Sequence, residues 1–134
     1  MQFQINAGSQ LPIYRQLANQ IREGVARGQL EPEERLPSVR ELSRELVVNP
    51  NTIARAYTEL ERAGVLNTRQ GLGVFVARPS TDLTKKARVE QLLTLIDPFL
   101  IEAVYLGFSA DDVVATVSER VSRFQWSHPA PKTT

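Results

Sequence analysis

Residues 36–76 read LPSVRELSRELVVNPNTIARAYTELERAGVLNTRQGLGVFV, and this stretch decides the fold. Ser38 followed three residues later by Glu41 is a capping box, in which the serine oxygen accepts from the Glu41 amide and the glutamate reaches back to the Ser38 amide. Pro37 fixes the entry. Val39, Leu42 and Leu46 then fall three and four apart, on one face of a helix. Asn49-Pro50 opens a second helix: Asn suits the cap, and Pro suits the first helical position, where its missing N–H costs nothing. Ile53, Ala56, Tyr57 and Leu60 make its apolar stripe, and Gly64 ends it as a left-handed residue would. Only Val47 and Val48 separate the two helices.

Two amphipathic helices joined this tightly, with a polar second start, carry a helix-turn-helix signature. The major groove of B-DNA accepts one helix, which enters by its N-terminal turn. That turn presents Asn49, Asn51 and Thr52, with Arg55 one turn further on. Asn pairs with adenine edges, Arg with guanine, and the Thr methyl with thymine. The helix pair alone also fits an ordinary αα-hairpin with a solvated polar face. The next residues favour the helix-turn-helix. Val65 to Thr68 and Val74 to Val76 are β-prone, and Gln70-Gly71-Leu72-Gly73 joins them as a hairpin. A helix-turn-helix with a hairpin directly behind it is a winged helix. Its wing carries Arg69 and Gln70 beside Gly71, which has no side chain to obstruct close approach of the backbone to DNA.

Pro12-Ile13-Tyr14, Leu36-Pro37-Ser38-Val39-Arg40-Glu41-Leu42, Asn49-Pro50-Asn51-Thr52, Ala56-Tyr57 and Gly71-Leu72-Gly73-Val74-Phe75-Val76 occur in this order. Together they resemble the GntR family of bacterial transcription regulators, over roughly residues 11–77. The resemblance implies that Arg40 contacts DNA from the first helix of the pair. It also implies that Asn51 and Thr52 lie at the tip of the recognition helix, that Arg55 lies further along the groove, and that Gly71 lets the wing reach the minor groove. Three departures stand out. Pro50 occupies a position where several members have a base-reading Arg, which leaves more of the readout to Arg55. Glu33 and Val47 stand where the family often has Gly. A β-branched residue does not easily take positive φ, so either the first motif helix ends without a left-handed residue or Val47 is strained.

Towards the N-terminus, Phe3 and Ile5 alternate with polar residues, which predicts a short strand able to pair with the wing. Pro12 opens a helix to about Arg27, with Ile13, Leu17, Ile21 and Val25 along one face and Gly28 as its stop. Towards the C-terminus, residues 78–84 read as a linker or a capped helix start. Val89, Leu92, Leu93, Ile96, Leu100, Ala103 and Val104 then fit the helical pattern, with a kink or break expected near Thr94 to Asp97 because of Pro98. Gly107 ends that helix. Ser109 with Asp112 caps another, whose stripe is Val113, Val114, Val117, Val121 and Phe124. Residues from about 127 form a frayed tail.

The expected fold class is therefore mainly α with a small β-hairpin: a winged helix-turn-helix over residues 1–79 and a short all-helical region over 80–134. About 45 residues are marginal for an independent core, so the second region needs a cover. An intrachain cap on the winged helix is one option. The preferred one is a homodimer with a four-helix-like, C2-symmetric interface through Leu92, Leu93, Ile96, Leu100, Val104, Val113, Val117 and Val121. This short appendage resembles the YtrA-like subfamily, whose C-terminal region dimerises and lacks the large effector-binding domain of other members.

Composition narrows the chemistry. The 134 residues carry a net charge of +1, are 42% apolar and 23% charged, and contain no cysteine. No disulfide, thiolate nucleophile or cysteine metal site is available, and the single histidine, His128, lies in the Pro-rich tail. No enzyme, cofactor or metal is expected. Residues 1–79 hold ten Arg and eight Glu and no Lys, and Arg is the side chain suited to bidentate phosphate and guanine contacts. Met1 opens into polar residues, and the apolar run 92–108 is interrupted by Asp97, Pro98 and Glu102. A cytoplasmic, bacterial protein with no membrane partner is expected. The function read from these residues is a sequence-specific DNA-binding transcription regulator, a dimeric repressor on a pseudo-palindromic operator. Its DNA contacts are Ser38, Arg40, Asn49, Asn51, Thr52, Arg55, Arg69, Gln70 and Gly71. The alternative is a winged-helix protein-interaction module that does not read DNA. Whether a small-molecule effector exists is left open.

Overall fold

The computed structural model describes residues 1–78 and 83–126. In chain order the elements are α1 (Ile13–Ala26), α2 (Val39–Leu46), α3 (Pro50–Arg62), β1 (Leu66–Arg69), β2 (Gly73–Val76), α4 (Lys85–Tyr105) and α5 (Ala110–Val121). The fold is mainly helical with one small hairpin, a winged helix-turn-helix and then a helix pair. Contacts divide the described residues into two units, 1–78 with Gln125 and Trp126, and 83–124. The expected tail from about 127, with His128, and most of the expected linker lie outside the described residues.

In the first unit, Leu17 and Ile21 of α1, Leu42 of α2, Ile53 and Leu60 of α3, Leu66 of β1 and Val76 of β2 are fully buried together. The helix ends are satisfied locally. Ser38 Oγ accepts from Glu41 N–H at 3.0 Å, and Glu41 Oε1 accepts from Ser38 N–H at 2.9 Å. At the end of α3, Gly64 N–H donates to Glu61 O and Val65 N–H to Leu60 O, with Gly64 at φ 80°. That is the Schellman pairing, and it turns the chain straight into β1. The hairpin pairs Leu66 with Val76 and Arg69 with Gly73 at its two ends.

The hydrogen bonds from Ser38, first its backbone N–H and then its hydroxyl, hold the Glu41 carboxyl below its ordinary pKa. A lowered folded pKa adds stability that is fully present above the ordinary carboxyl pKa and is lost as pH falls through the lowered value. Thermal melts from neutral pH down through the carboxylate range should therefore show native protein losing its advantage over Glu41→Gln. A constant gap between the two would contradict this.

Three expectations are corrected. Residues 1–6 form no strand. Phe3 is buried, but Gln20 of α1 clamps the backbone of Gln4, its Oε1 accepting from Gln4 N–H at 3.0 Å and its Nε2 donating to Gln4 O at 2.6 Å. Gln16 does the same to Asn6. Glutamine side chains thus satisfy this backbone in place of a neighbouring strand. The partner of the wing is instead the segment before α2: Glu33 N–H donates to Val76 O, Val76 N–H to Glu34 O and Leu36 N–H to Val74 O, each at 2.8 Å. Third, of the kink or break expected near Pro98 the break does not occur: α4 runs through Pro98 as one helix. One missing N–H removes one bond, at a cost of about 3 kcal/mol, from a ladder of 21 residues; the helix continues on both sides.

Val47 resolves the alternative at the helix-turn-helix turn. It sits at φ 55°, ψ 52°, left-handed, and is 89% exposed. A β-branched residue there is strained by about 1–2 kcal/mol and packs against little. Val47→Asn, whose side chain tolerates this region, should raise stability by about 1 kcal/mol; an unchanged denaturation midpoint would contradict the strain.

In the second unit Thr84 Oγ1 caps α4 by accepting from Ala87 N–H, and Ser109 Oγ caps α5 by accepting from Asp112 N–H, each at 3.1 Å. Gly107, at φ 86°, makes the sharp turn between the two helices. Among the described residues of this unit only Ala103 is buried.

Candidate nucleic-acid interface

The residues expected to meet DNA fall into a set at the starts of α2 and α3 and a set on the wing. At the start of α2, Ser38 is engaged in its cap: its oxygen accepts from Glu41 N–H and its hydroxyl bears on the Glu41 carboxyl. Arg40 is exposed and, among the described residues, its guanidinium has no hydrogen-bond or ion-pair partner. Asn49 Oδ1 accepts from Asn51 N–H at 2.8 Å, so its first role is to cap α3. Asn51 is exposed and Thr52 half-buried. Thr52 and Arg55 lie three apart, on neighbouring positions of one helix face.

Arg55 is exposed but not loose. Its guanidinium lies 3.8 Å from the centroid of the Tyr14 ring, and Nη2 donates to Tyr14 Oη at 3.2 Å. The tyrosine from α1 holds the arginine by cation–π stacking and one hydrogen bond, while its remaining N–H donors stay available. Sequence reading found Arg55 and missed Tyr14, because the two are joined only when α1 packs across α3.

Tyr57, one turn beyond Ile53, fixes how the two motif helices meet. It is buried, and its hydroxyl donates to Pro37 O at 2.7 Å, tying α3 to the residue before the α2 cap. Burial raises its pKa, with the Glu41 and Glu45 carboxylates adding to the effect.

On the wing, Gln70 and Gly71 are exposed at the tip. Gly71 has φ 78°, and nothing lies within 4 Å of where a Cβ would stand. The residue thus serves backbone conformation and open approach. Gly73 is different: a Cβ there would come within 2.8 Å of Arg35 Nε. Arg69 is held by an unexpected partner. It stacks 4.4 Å over the Phe75 ring, and Nη2 donates to both oxygens of Glu33, at 2.5 and 2.8 Å. Arg78 Nε stands 3.9 Å from the same carboxylate. Glu33 itself has φ 73°. The left-handed conformation costs about 1–2 kcal/mol, whereas a partly exposed ion pair gains about 0.2–1 kcal/mol. At the middle of these ranges the pairing offsets less than half of the strain. Sequence reading noted Glu33 as unusual but had no means to join it to a residue 36 positions away.

Residues 13–76 match the model of the family described as bacterial regulatory proteins, gntR family. The HTH-type transcriptional repressor YtrA of Bacillus subtilis (strain 168) is 32% identical over 116 residues, covering 87% of this chain and 89% of that protein. Among solved structures, the transcriptional antiterminator from Listeria monocytogenes EGD-e superposes with a TM-score of 0.72 at 33% identity, over 96% of this chain and 97% of that one. AraR(DBD) in complex with operator ORX1 superposes with a TM-score of 0.52 at 28% identity, over 57% of this chain and 99% of that one.

Proposed function

The chain belongs to the gntR family of bacterial regulatory proteins and is a DNA-binding transcription regulator, not an enzyme; from that premise we propose that it acts as a homodimeric repressor on a pseudo-palindromic operator. The observation that carries the reading is the exposed start of α3, where Asn51, Thr52 and the tyrosine-held Arg55 stand together beyond the Asn49 cap. This turn enters the major groove. Asn51 and Arg55 read base edges and Thr52 meets a thymine methyl. Arg40 holds a phosphate, Ser38 fixes the start of its helix, and the Gln70-Gly71 tip brings the wing to the minor groove. Dimerisation through α4 and α5 is supported by their apolar side chains: Leu92, Leu93, Leu100, Val104, Val117 and Val121 are all exposed, and Ile96 and Val113 are only half-buried. Repression is supported by the relative of similar length named as a repressor. No helix among the described residues is long and apolar enough to cross a membrane.

The test is fluorescence anisotropy on the promoter DNA of the protein's own gene, against scrambled duplex, at two salt concentrations. Native protein should prefer the promoter and bind with steep salt dependence. Arg55→Ala should cost about 1–3 kcal/mol and relax preference at one base position. Arg40→Ala should weaken both duplexes alike and reduce the salt slope by about 0.9. Variants that match native protein would remove these assignments.

A further inference from the structure

Glu33 is held in place by backbone, not by chance of side-chain rotamer. Its N–H is bonded to Val76 O, and the next residue accepts from Val76 N–H, so residues 33–36 lie along β2 and present the carboxylate to the wing. There the carboxylate faces two guanidiniums, those of Arg69 and Arg78. A carboxylate accepting from one arginine and flanked by a second occupies the place a DNA phosphate would take. The backbone conformation that puts it there is left-handed and strained. Strain held in place by surrounding structure points to a role beyond stability. The Glu33 and Arg69 side chains are 37% and 38% exposed, open enough for exchange with another anion.

We propose that Glu33 is a specificity-determining residue: its carboxylate stands in for phosphate at Arg69, withholding the wing arginine from generic DNA. This rests on the regulator reading. Arg69 contributes a phosphate contact only when the wing, docked on an operator, brings a phosphate close enough to displace Glu33. On non-specific duplex the displacement is not driven, so generic affinity stays low and the operator-to-generic ratio rises. The arrangement also explains why so arginine-rich a unit need not bind DNA indiscriminately.

The experiment measures affinity for promoter and scrambled duplex between 50 and 200 mM salt. It uses native protein, Glu33→Gln, Glu33→Gly, Arg69→Ala and the Glu33→Gln/Arg69→Ala double variant. Glu33→Gln should gain affinity for scrambled duplex more than for promoter. Its salt slope on scrambled duplex should steepen by about 0.9, equal to an extra loss of about 3.5-fold across that salt range. Glu33→Gly removes the carboxylate and the strain together, so it should melt no lower than native protein and bind as Glu33→Gln does. The double variant should lose the gain, because the released contact belongs to Arg69. An unchanged slope in both Glu33 variants overturns the proposal. So does a gain that persists in the double variant, which would show a general effect of removing one negative charge. Native protein with no promoter preference overturns the regulator reading, and this proposal with it; native preference with unaltered Glu33 variants overturns this proposal alone.

Discussion

Leu100→Glu should leave a monomer that holds operator DNA about 10²–10⁴ times more weakly than native protein. Leu100 lies on α4 and is 41% exposed, beside Val104 at 71%. With Ala103, Phe108, Val113 and Val114 these residues line an apolar groove of about 410 Å³ within the helix pair. Covering a leucine side chain is worth about 1.5–3 kcal/mol, and a carboxylate at the same place must be desolvated or left in water. In a C2 interface the change occurs twice. A dimer formed through these residues therefore loses several kcal/mol, which raises its dissociation constant more than about a hundredfold. Each monomer keeps its own winged helix, so half-site binding persists while the gain from linking two half-sites is lost. Sedimentation equilibrium with unchanged helical circular dichroism is the check. A Leu100→Glu protein that stays dimeric at native affinity would place the interface elsewhere.

Tyr57→Ala should remove about 3–5 kcal/mol of stability from the winged helix. The ring is buried in the core with Ile53, Leu42 and Leu60, and the hydroxyl satisfies Pro37 O. Truncation leaves a cavity and an orphan carbonyl at the junction of α2 and α3. A unit of this size has about 4–12 kcal/mol in all, so much of it is lost and DNA binding falls with it. Tyr57→Phe separates the two contributions: it keeps the ring and loses only the hydrogen bond, about 1 kcal/mol. Chemical denaturation of both variants checks the pair. Equal losses would assign the whole effect to the hydroxyl.

The parts legible in the sequence were those decided within one turn of chain. Ser38 and Glu41 are three residues apart, Asn49 caps its own helix, and Gly64 turns the chain by its own φ; each expectation matches the observed hydrogen bonds. The hairpin was legible as two β-prone runs around a glycine turn. What the sequence did not disclose joins distant residues. The wing is flanked by residues 33–36, some forty positions before Phe75, which propensity cannot rank against the Phe3-Ile5 run. Phe3 and Ile5 do reach the core, but Gln16 and Gln20 satisfy the adjoining backbone from a neighbouring helix. Of the proposed DNA contacts, Asn51, Gln70 and Gly71 are exposed as expected, whereas Arg55 and Arg69 have internal partners, Tyr14 and Glu33. Their residue types pointed to DNA; only packing shows that one is held and the other is neutralised.

Whether a symmetric dimer reads DNA through two copies of the α3 start is decided by selecting bound sequences from a pool of random duplexes. A symmetric dimer should enrich an inverted repeat, with Arg55→Ala relaxing one symmetry-related base pair in each half-site. Recovery of unrelated sequences, or of a single half-site without its mirror image, would contradict it.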